Sequence, residues 1–176
     1  VTEVAKLCVE AKLQGGEWGG DVHCPHGDVA VAREVAKITS GSGLEVAAYG
    51  SYYKVGESEA AGLSFGKVLD SAVALGAPVI RVWAGVKASA DADPAYRAKV
   101  AEDLNRICGM AAKDGVGVSL EYHINTLTDC IDSALKLMAD APGALCQWQP
   151  GPFESKDAKD ESLRRLVGPR LANIHV

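Results

Sequence analysis

The sequence predicts an α/β fold in which helices cover a parallel sheet, and three observations support this. Segments with helical periodicity alternate with short apolar runs of strand character along the 176 residues. The connections are short, which is typical of right-handed crossovers between parallel strands. Each of the six strand-like runs also ends on a polar or aromatic residue, so functional groups would stand at the strand ends.

In the first half of the chain, apolar periodicity predicts a helix over 2–14 that stops at Gly15 and Gly16. The segment "GGEWGGDV" is predicted as a short strand leading into the loop "HCPHGD". Asp28 then caps a second helix through "VAVAREVAKIT", and "LEVAAYG" forms the second strand. A polar loop over 51–59 leads to a helix around "GKVLDSAVALG", and "APVIRVWAG" is the third strand.

In the second half, Asp93 is a good N-cap and Pro94 suits a first helical turn, so a long helix begins there and runs to Lys113. The remaining predicted elements are a strand over 116–122, a helix over about 127–139, the strand "ALCQWQ", a short helix over 162–167 and a last strand "LANIHV".

Two architectures fit this alternation, a doubly wound open sheet and a (β/α)8 TIM barrel. Ligands of an open sheet bind where the strand order reverses, whereas every strand end of a barrel can contribute to the site. Polar and aromatic residues end all the predicted strands, which favours the barrel: Trp18, His23, Tyr49, Arg81, Trp83, Glu121, His123, Gln149 and His175. A closed barrel needs eight strands. We therefore expect an incomplete TIM-barrel domain over 1–176 that lacks the first strand and the last helix-strand-helix portion.

Composition narrows the function classes. With 48% hydrophobic residues, the chain is long enough for one well-buried domain. It has no apolar run approaching 20 residues and no secretion-signal pattern, so we expect a cytoplasmic protein without a membrane partner. The five cysteines are scattered, which indicates free thiols in a reducing compartment. The net charge is -5 and no basic stripe occurs, so nucleic acid is not expected as a partner.

Glu121 and His123 suggest chemistry because they end an apolar strand two residues apart and so point to the same side. Together with Gln149 and His175 they suggest a site for Mn²⁺, Mg²⁺, Co²⁺ or Zn²⁺. Each residue also has a purely structural interpretation. Glu121 would then be a salt-bridged rim residue, His175 a hydrogen-bonded core residue, and Gln149 an amide that caps strand ends.

Substrate contacts are predicted at other strand ends. His123 either orients substrate and shuttles protons or holds Glu121 by a hydrogen bond, and Asn125 belongs to the same network or to an ordinary helix start. An inward Arg81 beside Trp83 suits a polyhydroxyl or anionic ligand, unless it forms a salt bridge inside the barrel with Glu17 or Glu121.

Two further substrate contacts come from the first strand and its loop. His23, rather than His26, would line the substrate mouth, because site residues of a barrel occupy such loops. Trp18 would pack against the C–H face of a sugar, or it serves only as core filler.

Five segments in order carry a family resemblance: "EWGGDVHCPHGD", "AYGSYYKVGE", "IRVWAG", "SLEYHINTLTD" and "WQP". With them the chain resembles the sugar phosphate isomerase/epimerase family of xylose-isomerase-like barrels. The resemblance implies a divalent cation held by Glu121 on the fifth barrel strand and His175 on the seventh, with Gln149 at the position of the sixth-strand ligand. No residue matches the family's eighth-strand glutamate.

The function implied by the resemblance is a metal-dependent sugar or sugar phosphate isomerase or epimerase of carbohydrate metabolism, acting by proton transfer next to a carbonyl. A small-molecule sugar would be the partner. The missing glutamate leaves the activity of this chain open. Alternatives are an abasic-site endonuclease-like metal hydrolase and a non-catalytic barrel fragment, and an incomplete barrel is expected to form homo-oligomers.

Overall fold

The computed structural model describes residues 1–151, 154–166, 168 and 170–175. Within them, six strands form a single sheet in sequential order, and each strand is parallel to the next. An order without reversal is that of a barrel wall and not that of a doubly wound sheet. The predicted class, an incomplete TIM-barrel α/β fold, is confirmed. The strands are β1 (Gly15–Gly19), β2 (Glu45–Lys54), β3 (Val79–Trp83), β4 (Gly117–Glu121), β5 (Leu145–Trp148) and β6 (Leu171–Ile174).

Helices connect the strands, and two cap predictions are confirmed. The Asp28 side chain accepts a hydrogen bond from the Val31 amide at 3.0 Å, and Asp93 accepts one from the Tyr96 amide at 2.8 Å. Such caps contribute about 1 kcal/mol each. The helices are α1 (Thr2–Glu10), α2 (Val29–Gly41), α3 (Phe65–Leu75), α4 (Pro94–Ala111), α5 (Ile131–Asp140) and α6 (Lys156–Leu166), with short 3-10 turns at Ser89–Asp91 and Ala112–Asp114.

Three predicted boundaries are wrong for identifiable reasons. Helix α1 ends at Glu10 rather than at 14, because Lys12 takes a left-handed conformation with φ 59°. Helix α5 begins at Ile131 rather than at 127, because the Thr126 and Thr128 hydroxyls bond backbone carbonyls of the preceding strand end.

Helix α6 begins at Lys156, earlier than the predicted 162, and Ser155 accepts from the Ala158 amide at 3.2 Å at its start. The last residues of this predicted helix and of the predicted final strand, Val167 and Val176, lie outside the described residues.

Strand β2 also differs from its prediction, and the difference matters for the site. It continues to Lys54 instead of stopping at Gly50. The pairing with β3 shifts register between Gly50 and Tyr53, and Tyr52 inside this bulge has φ 54°. A bulge re-aims side chains at a sheet edge. The segment predicted as a polar loop therefore delivers an aromatic residue to the strand ends.

The core lies between the sheet and the helices. Ile80 and Val82 of β3, Leu120 of β4, and Leu104 and Ile107 of α4 are fully buried there. Each such side chain contributes about 1.5–3 kcal/mol of hydrophobic stabilisation. Because neighbouring strand residues face opposite sides, the residues between these core positions point to the inner face of the sheet. Among the described residues, no helix combines the length and the apolar character needed to span a membrane.

Candidate active site

The inner face of the sheet carries a group of polar side chains from β1, β3 and β4 and from the residue that follows β5. We call Glu17, Arg81, Trp83, Glu121 and Gln149 the strand-end cluster. The pairing register places Arg81 opposite Ser119, and Glu121 opposite Gln147. The strands are parallel, so their carboxyl ends meet at one edge, and residues far apart in sequence come into contact there.

Arg81 stands at the centre of the cluster. Its Nε–H donates to Glu17 Oε1 at 2.8 Å, and its Nη1–H donates to Glu121 Oε2. Burial lowers the pKa of the Arg81 guanidinium, but Glu17 and Glu121 more than offset this and the net shift is upward. Arg81 therefore stays charged. The interpretation of Arg81 as a salt-bridge residue inside the barrel agrees with these contacts, and it pairs with both carboxylates.

Glu121 is only 5% exposed, and both of its carboxylate oxygens accept hydrogen bonds. Oε2 also accepts from the Trp83 indole N–H at 2.6 Å, and Oε1 accepts from Gln149 Nε2 at 3.1 Å. Thr128 Oγ1 donates to the Glu121 backbone oxygen at 2.5 Å. A buried charge is tolerable only with such partners. Glu121 is therefore held in a single orientation by three side chains, two from β3 and one that follows β5.

Gln149 links Glu121 to His175. His175 Nδ1 lies 3.2 Å from Gln149 Oε1 and 3.3 Å from Gln147 Nε2. Gln149 Oε1 can only accept and Gln147 Nε2 can only donate, whereas His175 Nδ1 does one or the other according to its protonation. Only one of the two contacts is therefore a hydrogen bond at a time. With the proton on Nδ1, it donates to Gln149 and Nε2 keeps the lone pair that a metal uses. Gln147, absent from our sequence prediction, has a buried Oε1 without a hydrogen-bond partner among the described residues.

His123 is placed by its neighbours rather than by Glu121. Its ring stacks on Trp83 with centroids 4.9 Å apart and planes at 24°. Its Nδ1 lies 2.7 Å from the Ile124 carbonyl oxygen, which can only accept, so Nδ1 carries the proton. The interpretation that His123 holds Glu121 by a direct hydrogen bond is wrong. Within the part of the chain that the structure describes, His123 supports Glu121 through Trp83, and its Nε2 has no hydrogen-bond partner.

Tyr52 is a site residue that the sequence prediction missed. The Arg81 guanidinium lies 4.7 Å from its ring centroid, and the Trp83 ring meets it edge-on at 5.8 Å. Its φ of 54° is uncommon for a residue with a bulky side chain, and strained residues cluster at functional sites. Nothing in the local sequence distinguishes Tyr52 from Tyr53, so only the bulge reveals it.

The sequence indicates Glu17 only as a salt-bridge partner of Arg81, yet a glycine in the neighbouring strand marks its position. A Cβ added to Gly50 would lie 2.5 Å from Glu17 Oε1 and 2.7 Å from Arg81 Nη2. Because Gly50 has no side chain, Glu17 of β1 and Arg81 of β3 have room to form their ion pair across β2. Strict alternation in "GGEWGG" places Glu17 inward and Trp18 outward.

Trp18 lies away from the cluster, which corrects its predicted substrate contact. It is 3% exposed, and its indole N–H donates to Thr39 Oγ1 of α2 at 3.0 Å. The alternative of core filler fits this position. His23 packs edge-on against Trp18 at 5.2 Å, and its Nδ1 is buried with no partner among the described residues. His23 thus contacts Trp18, and its place at the substrate mouth stays a prediction.

His26 is the more firmly bound of the two loop histidines. Tyr49 Oη donates to the Cys24 carbonyl at 2.7 Å, so it accepts from His26 Nδ1–H at 2.7 Å. Desolvation by burial lowers the pKa of His26.

Asn125 is exposed with φ 59°, and among the described residues its side chain makes no hydrogen bond to the Glu121 network, so the first of its two interpretations is wrong while its substrate contact stays a prediction. It lines a cavity of about 290 Å³ together with Lys54, Trp83 and His123.

Three residues at the strand ends offer donor types that divalent cations accept. Glu121 supplies one anionic oxygen, Gln149 a neutral oxygen and His175 an imidazole nitrogen, and these types suit Mn²⁺, Mg²⁺, Co²⁺ or Zn²⁺. Gln147 contacts His175 through its amide nitrogen, and its buried Oε1 has no hydrogen-bond partner among the described residues. No group of three His, Cys, Asp or Glu side chains within the described ranges is arranged for a metal. A cation here would therefore depend on amide oxygens, with a single carboxylate that Arg81 partly neutralises.

Comparison with known proteins gives the family context. A family model described as a xylose isomerase-like TIM barrel matches residues 6–176. A curated 3-dehydroshikimate dehydratase of Bacillus anthracis is 39% identical over 61 residues, which are 35% of this chain and 22% of that protein.

Solved structures share the fold over nearly the whole chain. The probable 3-DHS dehydratase AsbF of Bacillus anthracis, involved in petrobactin synthesis, matches with a TM-score of 0.81 and 23% identity, covering 99% of this chain and 66% of that one. A D-psicose 3-epimerase determined in the presence of D-fructose matches with a TM-score of 0.77 and 15% identity, covering 99% of this chain and 66% of that one. A xylose isomerase-like TIM barrel protein of Mycobacterium smegmatis in complex with magnesium matches with a TM-score of 0.76 and 14% identity, covering 99% of this chain and 65% of that one. The chain thus spans about two thirds of these structures.

Proposed function

The chain belongs to the xylose isomerase-like TIM barrel family, and we propose that it acts, within that family, as a metal-dependent sugar isomerase or epimerase. The reaction would be proton transfer next to a carbonyl of a small polyhydroxylated molecule. One observation carries the proposal: a buried carboxylate, Glu121, is held at the strand ends beside Gln149 and His175.

The residues of the strand-end cluster would have two roles, binding the cation and orienting its ligands. A divalent cation held by Glu121, Gln149 and His175 would polarise the carbonyl and stabilise the charge that develops when the proton leaves. Glu121 orients this donor set, because Arg81 and Trp83 fix its carboxylate.

His123 is the better proton acceptor. A base needs a free lone pair, and its Nε2 has one, whereas the Glu121 oxygens already accept three hydrogen bonds.

Aromatic rings suit a carbohydrate substrate. Tyr52 and Trp83 meet edge-on at the strand ends beside Arg81, so apolar ring surface and polar groups converge there. Tyr52 is 38% exposed, so part of its surface is open to a ligand. Aromatic faces pack on the C–H faces of a sugar while polar groups bind its hydroxyls.

A dehydratase is the second candidate, and the 39% identity to a 3-dehydroshikimate dehydratase over 61 residues favours it. Elimination of water from a hydroxyketone also begins with removal of the proton next to the carbonyl. The two functions therefore share the roles of Glu121 and His123. They differ in whether the intermediate is reprotonated or loses a hydroxyl group.

Proton–deuterium exchange tests the proposal. The wild-type chain with Mn²⁺ should exchange the proton next to the carbonyl of a ketose such as D-fructose, or eliminate water from 3-dehydroshikimate, in D₂O followed by proton NMR. Glu121→Gln and His123→Gln should each lower the rate by about 10²-fold or more. Glu34→Gln, an equal charge change on the exposed face of α2, should leave it unchanged. Equal rates in all variants, or no exchange in the wild type, would contradict the proposal.

The kind of partner is part of the same proposal. The net charge of -5 and the scattered basic residues favour a small-molecule substrate over nucleic acid. Sedimentation analysis would test the expected homo-oligomer, and a duplex oligonucleotide with an abasic site should neither bind nor be cleaved.

A further inference from the structure

We propose that the substrate of this site is an anion, and that Lys54 binds its carboxylate or phosphate group at the cavity beside Trp83. This inference deepens the proposed function and names the class of molecule on which the site acts. It rests on two features of the strand ends: a cation with no carboxylate partner among the described residues, and a cavity next to it.

Lys54 is the cation. It ends β2 in register with Trp83, and its ammonium nitrogen lies 5.7 Å from the Trp83 ring centroid. Among the described residues, no carboxylate oxygen comes within 4.0 Å of this nitrogen. Arg81, in contrast, is shared between two carboxylates. The positive charge of Lys54 is therefore available to a ligand.

The cavity adjoins the reacting groups. Its volume is about 290 Å³, and Lys54, Trp83, His123 and Asn125 are among its lining residues. Trp83 lies between Lys54 and Glu121, because its ring is near the Lys54 ammonium while its indole N–H donates to Glu121 at 2.6 Å. A ligand whose charged group reaches Lys54 can therefore place its other end near His123, which lines the same cavity.

The backbone fixes the lysine at this place. The Lys54 amide donates to Ser58 Oγ at 2.8 Å, and the Val55 amide donates to the Trp83 carbonyl at 3.0 Å. The bulge that turns Tyr52 inward also sets the register in which Lys54 meets Trp83. The position of the cation is thus determined by the sheet, while its side chain stays exposed.

The charge of Lys54 gives the cavity its preference for an anion. Glu17 and Glu121 both pair with Arg81, whereas Lys54 is the one Lys or Arg among the residues that line the cavity. A charge-assisted hydrogen bond to its ammonium selects anionic over neutral molecules.

Calorimetric titration with matched pairs of probes tests the inference. The anions are D-gluconate, a carboxylate, and D-fructose 6-phosphate; the neutral counterparts are D-glucitol and D-fructose. The wild-type chain should bind at least one anion about tenfold or more tightly than its neutral counterpart. Lys54→Met should abolish this preference, and Lys54→Arg should retain it. Which anion is preferred distinguishes a carboxylate from a phosphate.

Lys87→Met is the matched control, because Lys87 also stacks on an aromatic ring, that of Tyr96 at 4.6 Å, and the charge change is the same. It should keep the anion preference. The inference fails if the wild type binds both members of each pair equally, or if Lys54→Met keeps the preference. Binding is measured without turnover, so absence of proton exchange would contradict the proposed function and leave this test intact.

Discussion

The Nε–H group of Arg81 lies 2.8 Å from Oε1 of Glu17 and so joins two residues that are 64 positions apart. The contact crosses from β3 to β1 over the intervening strand β2. Its other partner, Glu121, comes from β4. This arrangement makes Arg81 the electrostatic link between the strands that form the candidate site, and its removal is the most direct test of the cluster.

Arg81→Met should lower the free energy of unfolding by about 3–5 kcal/mol, because it leaves two buried or half-buried carboxylates without their cation. Urea denaturation followed by circular dichroism measures this change. Arg33→Met on the exposed face of α2 is the control and should change the value by less than about 0.5 kcal/mol. Equal effects of the two substitutions would mean that the ion pairs do not stabilise the fold.

Gly50→Ala should destabilise the protein by about 1–3 kcal/mol, because the new methyl group would overlap Glu17 and Arg81. Gly109→Ala is its counterpart. A Cβ at Gly109, inside α4, would meet nothing within 4 Å, so this substitution should stabilise the helix by about 0.5–1 kcal/mol. Opposite shifts in melting temperature are expected, and a neutral Gly50→Ala variant would contradict the tight contact.

The loop containing His26 should make stability depend on pH. Burial lowers the pKa of His26, so the folded state prefers the neutral ring. The contribution is complete above the ordinary pKa of about 6.5 and is lost as the pH falls below it towards the folded-state pKa. His26→Gln should show a smaller loss of unfolding free energy between pH 7 and pH 5 than the wild type. Parallel pH profiles of the two proteins would contradict this.

Thiol reactivity should separate the cysteines. Cys130 is exposed, whereas burial raises the pKa of Cys24 to about 11 and that of Cys146 to about 12. Only thiolates react rapidly with iodoacetamide. At pH 8, mass spectrometry of peptides should find Cys130 labelled first and the other two only after denaturation. Cys130→Ser should remove the fast phase, and early labelling of Cys146 would show that its environment opens in the native state.

The fold was largely predictable because its signals are local. Alternation in "VIRVW" and "VSLE" indicated strands, and the caps at Asp28 and Asp93 marked helix starts. The main errors fall where side chains bond to the backbone or the backbone turns left-handed, as at Thr126, Thr128 and Lys12. Such local competition leaves no periodic pattern, so the helix limits at 14 and 127 could not be corrected from the sequence.

The candidate site was predictable in part. The ends of β4 and β5 pointed to Glu121 and Gln149, which the structure brings into contact. The position of Trp18 at a strand end also predicts it as a site residue. In the structure its neighbour Glu17 faces inward instead. A shift of one residue exchanges the two faces of a strand. In the glycine-rich "GGEWGG", both faces offered a plausible candidate.

By itself, the sequence determined the order of helices and strands and the alternation that points Arg81 and Glu121 to the inner face. These follow from side-chain periodicities of 2 and 3.6 residues, which are properties of short segments. Only the tertiary structure decided that Glu17, Arg81 and Glu121 share one network and that Tyr52 joins it. The reason is that these contacts depend on strand register and on a bulge in β2, which are set by pairing between segments distant in sequence.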